Sequence, residues 1–178
     1  MDILKHINDQ INTKLPSGDM SGIKLRECQW SVKTAGPSPF NNERTEIFLL
    51  GCNKAMSGNP CHGCFNSSTW DASQAQWTHD PIKMAEHINR NAPNKYITIG
   101  GGEPTDQIEN LIILCKELKK YDFHIMMYTW RNLKSIVNPI RVFLTGEEVE
   151  HPLTYPMREL LQYLDIVVDG QFKIEEKL

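Results

Sequence analysis

Residues 51–71, GCNKAMSGNPCHGCFNSSTWD, hold three of the chain's five cysteines: Cys52, Cys61 and Cys64. Eight residues separate the first two and two separate the last two. A disulfide uses two sulfurs. A structural zinc site takes four ligands, and His62, adjacent to Cys61, is an awkward partner to it on one ion. A [4Fe–4S] cube normally takes four thiolates, so three leave one iron open to a substrate or cofactor. Spacing alone leaves zinc and iron–sulfur both standing. The odd cysteine count argues against a complete disulfide framework, and clustered cysteines in a reducing compartment more often bind metal or do redox work.

The rest of the chain narrows the setting. Its 178 residues suit one domain with a real core. Hydrophobic residues make up 40% and charged residues 23%, which is globular usage. Net charge is −3 and the pI about 6.1, so nothing draws the chain to nucleic acid or an anionic membrane. The start, MDILKHINDQINTKL, scatters charges and has no apolar signal core, and no apolar run approaches the ~20 residues of a membrane span. The reading is a cytoplasmic protein.

Elements must hold the cysteine loop in place. Residues 16–44 are rich in Pro, Gly, Ser and Asn and read as loop with one short strand near Leu25–Val32. TEIFLL (45–50) reads as a buried strand, and the cysteine stretch leaves its C-terminal end. Asp80 then Pro81 opens a helix that runs to about Asn91. YITI (96–99) is the next strand, and GGGEPTD turns from it. Asp106 and Glu109 read as a capping box. Ile108, Leu111, Ile112, Cys115 and Leu118 form one apolar helical face, which makes Cys115 a core thiol. Cys28 has no assigned role beyond an incidental thiol. FHIMMY (123–128) is a third strand, 131–137 a helix, 142–149 a hairpin, 156–164 a helix and 165–170 a last strand. This alternation predicts an α/β fold with a mostly parallel sheet. Sites in such sheets lie at the C-terminal strand ends. The cysteine loop and GGGEP should therefore share one mouth. There the glycines allow close backbone approach to a ligand, and Glu103 offers a carboxylate suited to an ammonium group.

With both stretches placed, the chain resembles the radical S-adenosylmethionine (SAM) superfamily. Within it the likeness is to the activases of glycyl-radical enzymes, those of the anaerobic ribonucleoside-triphosphate reductase above all. GC…CHGCFNSSTWD (51–71), GGGEPTDQ (100–107), MMYTW (126–130) and LDIVVDGQF (164–172) carry the match. The resemblance implies a partial (βα) barrel with helices on its outer face. It implies one radical SAM domain over 1–178, with 1–44 as a loop-rich N-terminal extension and 45–172 as the core. Cys52, Cys61 and Cys64 would ligate a [4Fe–4S] cluster. Gly63, Cys64, Phe65, Gly101, Gly102, Glu103 and Thr129 would contact SAM, with Tyr128 and Trp130 near the adenosine part. No side chain is expected to be catalytic, since cluster and SAM carry the chemistry. Asn66 and Trp70 would fix the cluster loop or a partner's glycine loop, and Asp169 with Gly170 would face the partner.

The implied reaction is one-electron reduction of the SAM sulfonium, giving methionine and a 5′-deoxyadenosyl radical that takes hydrogen from a glycine of the partner reductase. Iron–sulfur potentials span roughly −700 to +450 mV, and this step needs the low end, which implies a flavodoxin-like electron donor. The family's usual separation of the first two cysteines is shorter than eight residues. Gly58, Asn59 and Pro60 let the excess loop out while Cys61 returns. Three alternatives stand beside this reading: an activase of another glycyl-radical enzyme, a 7-carboxy-7-deazaguanine synthase-like small-molecule enzyme, and a non-enzymatic zinc-binding module. The module leaves GGGEP to chance.

Overall fold

The computed structural model describes residues 22–76, 78–138, 140–141 and 148–173. In chain order the elements are β1 (Ile23–Val32), β2 (Arg44–Leu49), α1 (Asn53–Met56), β3 (Thr78–His79), α2 (Pro81–Asn91), β4 (Tyr96–Gly101) and α3 (Ile108–Lys120). Then come β5 (His124–Thr129), α4 (Leu133–Val137), β6 (Ile140–Arg141), β7 (Glu148–Val149), α5 (Thr154–Leu161) and β8 (Ile166–Asp169). Among the described residues, no helix is long and apolar enough to cross a membrane.

The α/β class is as expected, but the sheet is mixed rather than mostly parallel. Its order is β3-β1-β2-β4-β5-β8. The pairs β2/β4, β4/β5 and β5/β8 are parallel, while β1 runs antiparallel to both β2 and β3. The added strands come from two stretches without a clean strand signal. β1 is ten residues long and contains the short strand expected near Leu25–Val32 inside the loop-rich stretch. Its inward residues are Ile23, Leu25 and then Cys28, because the register shifts between Leu25 and Glu27. Such a bulge breaks the two-residue alternation by which a strand is recognised. β3 is only two residues. The hairpin expected over 142–149 lies mostly outside the described residues; the flanking residues Ile140–Arg141 and Glu148–Val149 pair antiparallel as β6 and β7.

The strands β2, β4, β5 and β8 are added in one direction, and right-handed crossovers then put the connecting helices on one face. Ile47, Leu49, Ile97, Ile99, Ile125 and Met127 point to that face and join Met84, Ile88, Leu111, Leu114 and Leu118 in one core. Cys28 and Cys115 are both in this core, and burial pushes both thiols up to about 12. α2 starts as the sequence predicts: the Asp80 carboxylate accepts from Ile82 and Lys83 N–H, with Pro81 at the first position.

Alternation leaves Arg44, Glu46, Thr98, Gly100, Met126 and Tyr128 on the other face. The loop before β2 covers its lower half. Arg44, fully buried, donates to Thr98 Oγ1, Pro37 O and Ile97 O, and Thr98 Oγ1 donates to Ala35 O. Toward the C-terminal strand ends this face opens among the described residues: of these, a Cβ on Gly100 would meet only Glu46 Oε1, at 4.0 Å, and Tyr128 is 39% exposed.

His79 on β3 makes the stability of the fold depend on pH. It is buried, and its Nδ1 has no hydrogen bond among the described residues. Burial first, and His87 second, lower its pKa from 6.5 to about 4. As pH falls through that window the unfolded chain gains a proton that the folded chain refuses, so stability is lost. One such group contributes up to about 1.4 kcal/mol per pH unit, or about 2–3 kcal/mol across the window. Urea midpoints stepped from pH 6.5 to 4 are expected to fall, and to fall less steeply in His79→Phe. Parallel curves for the two proteins would remove His79 as the cause.

Candidate functional site

The cysteine loop is closed at its base by its own backbone. Gly51 N–H donates to Thr69 O and Cys52 N–H to Trp70 O, both at 2.8 Å. Gly51 has φ +106°, which lets β2 turn into the loop. The excess residues between Cys52 and Cys61 are not slack chain. Residues 53–56 form the single turn α1 with Cys52 as its N-cap. Lys54 Nζ donates to Asn59 O at 2.6 Å, and Ser57 Oγ to Lys54 O at 2.9 Å. The chain then returns past Gly58 to the tight turn in which Cys64 N–H donates to Cys61 O. Thr69 donates twice to Asn66 O, closing the far side. Asn66 and Trp70 thus both hold the loop, each through its carbonyl.

All five cysteines are free thiols. Cys52 is buried; Cys61 and Cys64 are half-buried. Burial, above all, raises the Cys52 thiol; a hydrogen bond from the Ala55 backbone opposes it, and the charges of Asp106, Glu103 and Cys61 add to the rise. A bound cation inverts that balance, since a coordinating thiol is deprotonated. Among the described residues, no three His, Cys, Asp or Glu side chains are already gathered in a group that could hold a metal ion. The donor set nevertheless fits an iron–sulfur cluster: three free thiols on one loop, tied at its base, with two of them reachable from solvent. Phe65 beside Cys64 is 63% exposed, and its ring lies 4.9 Å from Phe172 in the C-terminal segment.

GGGEP lies directly on this loop, so the two motifs meet as expected. Gly102 N–H donates to Leu49 O and Glu103 N–H to Gly51 O. The close approach that demands glycine here is to backbone. A Cβ on Gly102 would stand 2.1 Å from Gly51 O, and one on Gly101 2.4 Å from Leu49 N and O. Gly100 is the member of the run that faces open space.

Glu103 is fully buried and works as a pin. Its carboxylate accepts from Thr105 N–H, Thr105 Oγ1, Thr129 Oγ1 (2.8 Å) and Trp130 N–H (3.1 Å). Burial pushes this carboxyl up, and those hydrogen bonds pull it back. Thr129 is buried and occupied in the same network. At the end of β8, Asp169 accepts from Leu133 N–H, and Gly170 N–H donates to Arg131 O.

Sequence reading missed Lys54, Asp106, Gln107 and Arg131. Asp106 is no helix cap. A 3-10 turn over Pro104–Gln107 delays α3 to Ile108 and frees both polar side chains. Gln107 bonds Lys24 N–H, Lys24 O and Leu50 O, tying β1 to the end of β2. Asp106 accepts from Asn53 N–H and Arg131 Nη2, each at 2.6 Å. Lys54 and Arg131 both lie over the Trp130 ring, and Trp130 Nε1 has no hydrogen bond among the described residues. The adjoining polar residues of EPTDQ were the available signal, but a capping box explains them equally well from sequence.

Three thiols on a tied loop, braced by a glycine turn at the parallel strand ends, define an α/β protein built around one cluster loop. The chain belongs to the 4Fe-4S single cluster domain family, which matches residues 42–178. It is similar to the anaerobic ribonucleoside-triphosphate reductase-activating protein of Enterobacteria phage T4, with 24% identity over 139 residues, 73% of this chain and 71% of that protein. The protein of the same name from Haemophilus influenzae is also 24% identical over 139 residues, covering 75% of this chain and 76% of its own.

Proposed function

We propose that this chain is a radical SAM activase that generates a glycyl radical on an anaerobic ribonucleoside-triphosphate reductase, within a partial barrel of the radical SAM type. The observation that carries the reading is the meeting of the tied three-cysteine loop with GGGEP at the C-terminal strand ends. The names of the two relatives support the choice of reductase. Cys52, Cys61 and Cys64 hold a [4Fe–4S] cluster. A cluster held by these thiols would supply the electron for reductive cleavage of SAM.

The chain's own residues bind and orient. The open sheet face at Gly100 and Tyr128 gives the cofactor room. Gly63 and Phe65, with the Gly101–Gly102–Glu103 turn and Thr129, shape the wall beside the cysteines, and Glu103 fixes that wall rather than moving a proton. A flavodoxin-like protein donates the electron in a cytoplasmic, anaerobic setting.

The test is anaerobic reconstitution with iron and sulfide, then reduction with SAM present. 5′-Deoxyadenosine is expected, and a glycyl-radical spectrum when the reductase is added. Deoxyadenosine without a radical on the reductase would reassign the partner. Tight stoichiometric zinc with no cluster and no cleavage would overturn the enzyme reading.

A further inference from the structure

The one-turn helix α1 has an unusual start. Its N-cap, Cys52, offers the turn only a thiol, a weak acceptor facing Ala55 N–H, yet the first N–H groups of a helix need acceptors. One acceptor comes from another part of the chain: Asn53 N–H donates to Asp106 Oδ2 at 2.6 Å. The other oxygen, Oδ1, accepts from Arg131 Nη2, also at 2.6 Å. Asp106 is only 7% exposed at its side chain and Arg131 15%. The guanidinium is itself fixed, since Nε donates to Thr105 Oγ1 at 2.7 Å and the group lies over the Trp130 ring. One carboxylate therefore joins the residue after Cys52 to the GGGEP turn and to the end of β5. Charge-assisted bonds of this kind are among the stronger ones in a protein.

We propose that Asp106, oriented by Arg131, is the positioning residue that sets the direction in which α1 leaves Cys52 and so how the lengthened loop presents Cys61 and Cys64 to an iron–sulfur cluster. The cluster half of this inference rests on the function proposed above; the anchoring half does not. α1 is the very segment that lengthens the spacing between the first two cysteines. Bonds within the loop fold that segment on itself, and Asp106 ties it to the rest of the sheet.

The experiment uses the full chain as wild type, Asp106→Ala and Asp106→Asn. Amide hydrogen exchange at Asn53 is measured first, without metal. Asp106→Ala is expected to speed it by about tenfold or more, the effect of losing one hydrogen bond to a charged group. Asp106→Asn keeps one acceptor but turns its amide nitrogen against the second donor, Asn53 N–H or Arg131 Nη2, and should fall between wild type and Asp106→Ala. The reconstituted proteins are then compared by the spectrum of the reduced cluster and by iron loss to a chelator. Asp106→Ala is expected to shift the spectrum and lose iron several-fold faster, with Asp106→Asn between it and wild type. Unchanged exchange in Asp106→Ala overturns the anchor. Changed exchange with a wild-type spectrum and iron-loss rate overturns the positioning role. A wild-type chain that takes up no cluster overturns the proposed function instead, and the Asn53 exchange then decides the anchor by itself.

Discussion

Cys61→Ala is expected to abolish cluster loading while leaving the fold intact. Cys61 is a half-buried free thiol in a turn held by backbone hydrogen bonds. Surface changes away from caps and buried networks usually stay within about ±0.5 kcal/mol, so the unfolding midpoint should hardly move. The loop would keep two thiols, too few for a cube that already lacks a fourth. Cys52→Ala and Cys64→Ala should lose iron as well. Cys28→Ala and Cys115→Ala should do the reverse, because both thiols are in the core with burial raising them to about 12. Truncating a small buried side chain costs on the order of 1–2 kcal/mol, yet both variants should load iron fully. Iron and sulfide per chain, read beside urea midpoints, separate the two groups. Full loading in Cys61→Ala, or lost loading in Cys115→Ala at a temperature where it is folded, would remove the three-thiol assignment.

Gly102→Ala is expected to produce a large loss of stability from a single methyl group. The new Cβ would lie 2.1 Å from Gly51 O, 2.7 Å from Gly51 C and 2.9 Å from Thr69 O. None of these is the end of a flexible side chain, so backbone must move. Overpacking typically costs 1–3 kcal/mol and occasionally more, and contact with backbone on two segments argues for about 3 kcal/mol or above. For a chain of this size that is a fall of roughly 10 °C in Tm. The displaced segments are the two ends of the cysteine loop, so iron loading should suffer with it. Gly58→Ala is the control: it meets nothing within 4 Å and carries only the cost of φ +83°, about 1 kcal/mol. Equal midpoints for the two variants would show that the GGGEP turn does not press on the loop base.

The elements that were legible are those with a strong local signal. β2 and β4 are short apolar runs, and α2 has Asp80 and Pro81 at its start. The α3 face was readable because Ile108, Leu111, Cys115 and Leu118 recur at the helical period. β1 was only partly legible, since its bulge moves the inward position from Leu25 to Cys28. Its antiparallel pairing, and with it the mixed sheet, depends on partners far along the chain.

The residue types on which the proposed chemistry rests were legible from the sequence alone: three thiols in thirteen residues and a glycine-rich turn one βα unit later. Thiol chemistry and the φ freedom of glycine are properties of single residues, so no fold is needed to read them. What the two motifs do to each other was decided only in three dimensions. Glu103 read as a free carboxylate for a ligand and is a buried pin with four donors. Asp106 read as a cap for its own helix and holds the start of another one, 53 residues away. Gly101 and Gly102 read as room for a ligand, and the packed sheet shows that they also leave room for Leu49 and Gly51. In each case the partner is remote in sequence, and a hydrogen bond or close contact is a relation between positions that only the packed sheet brings within reach.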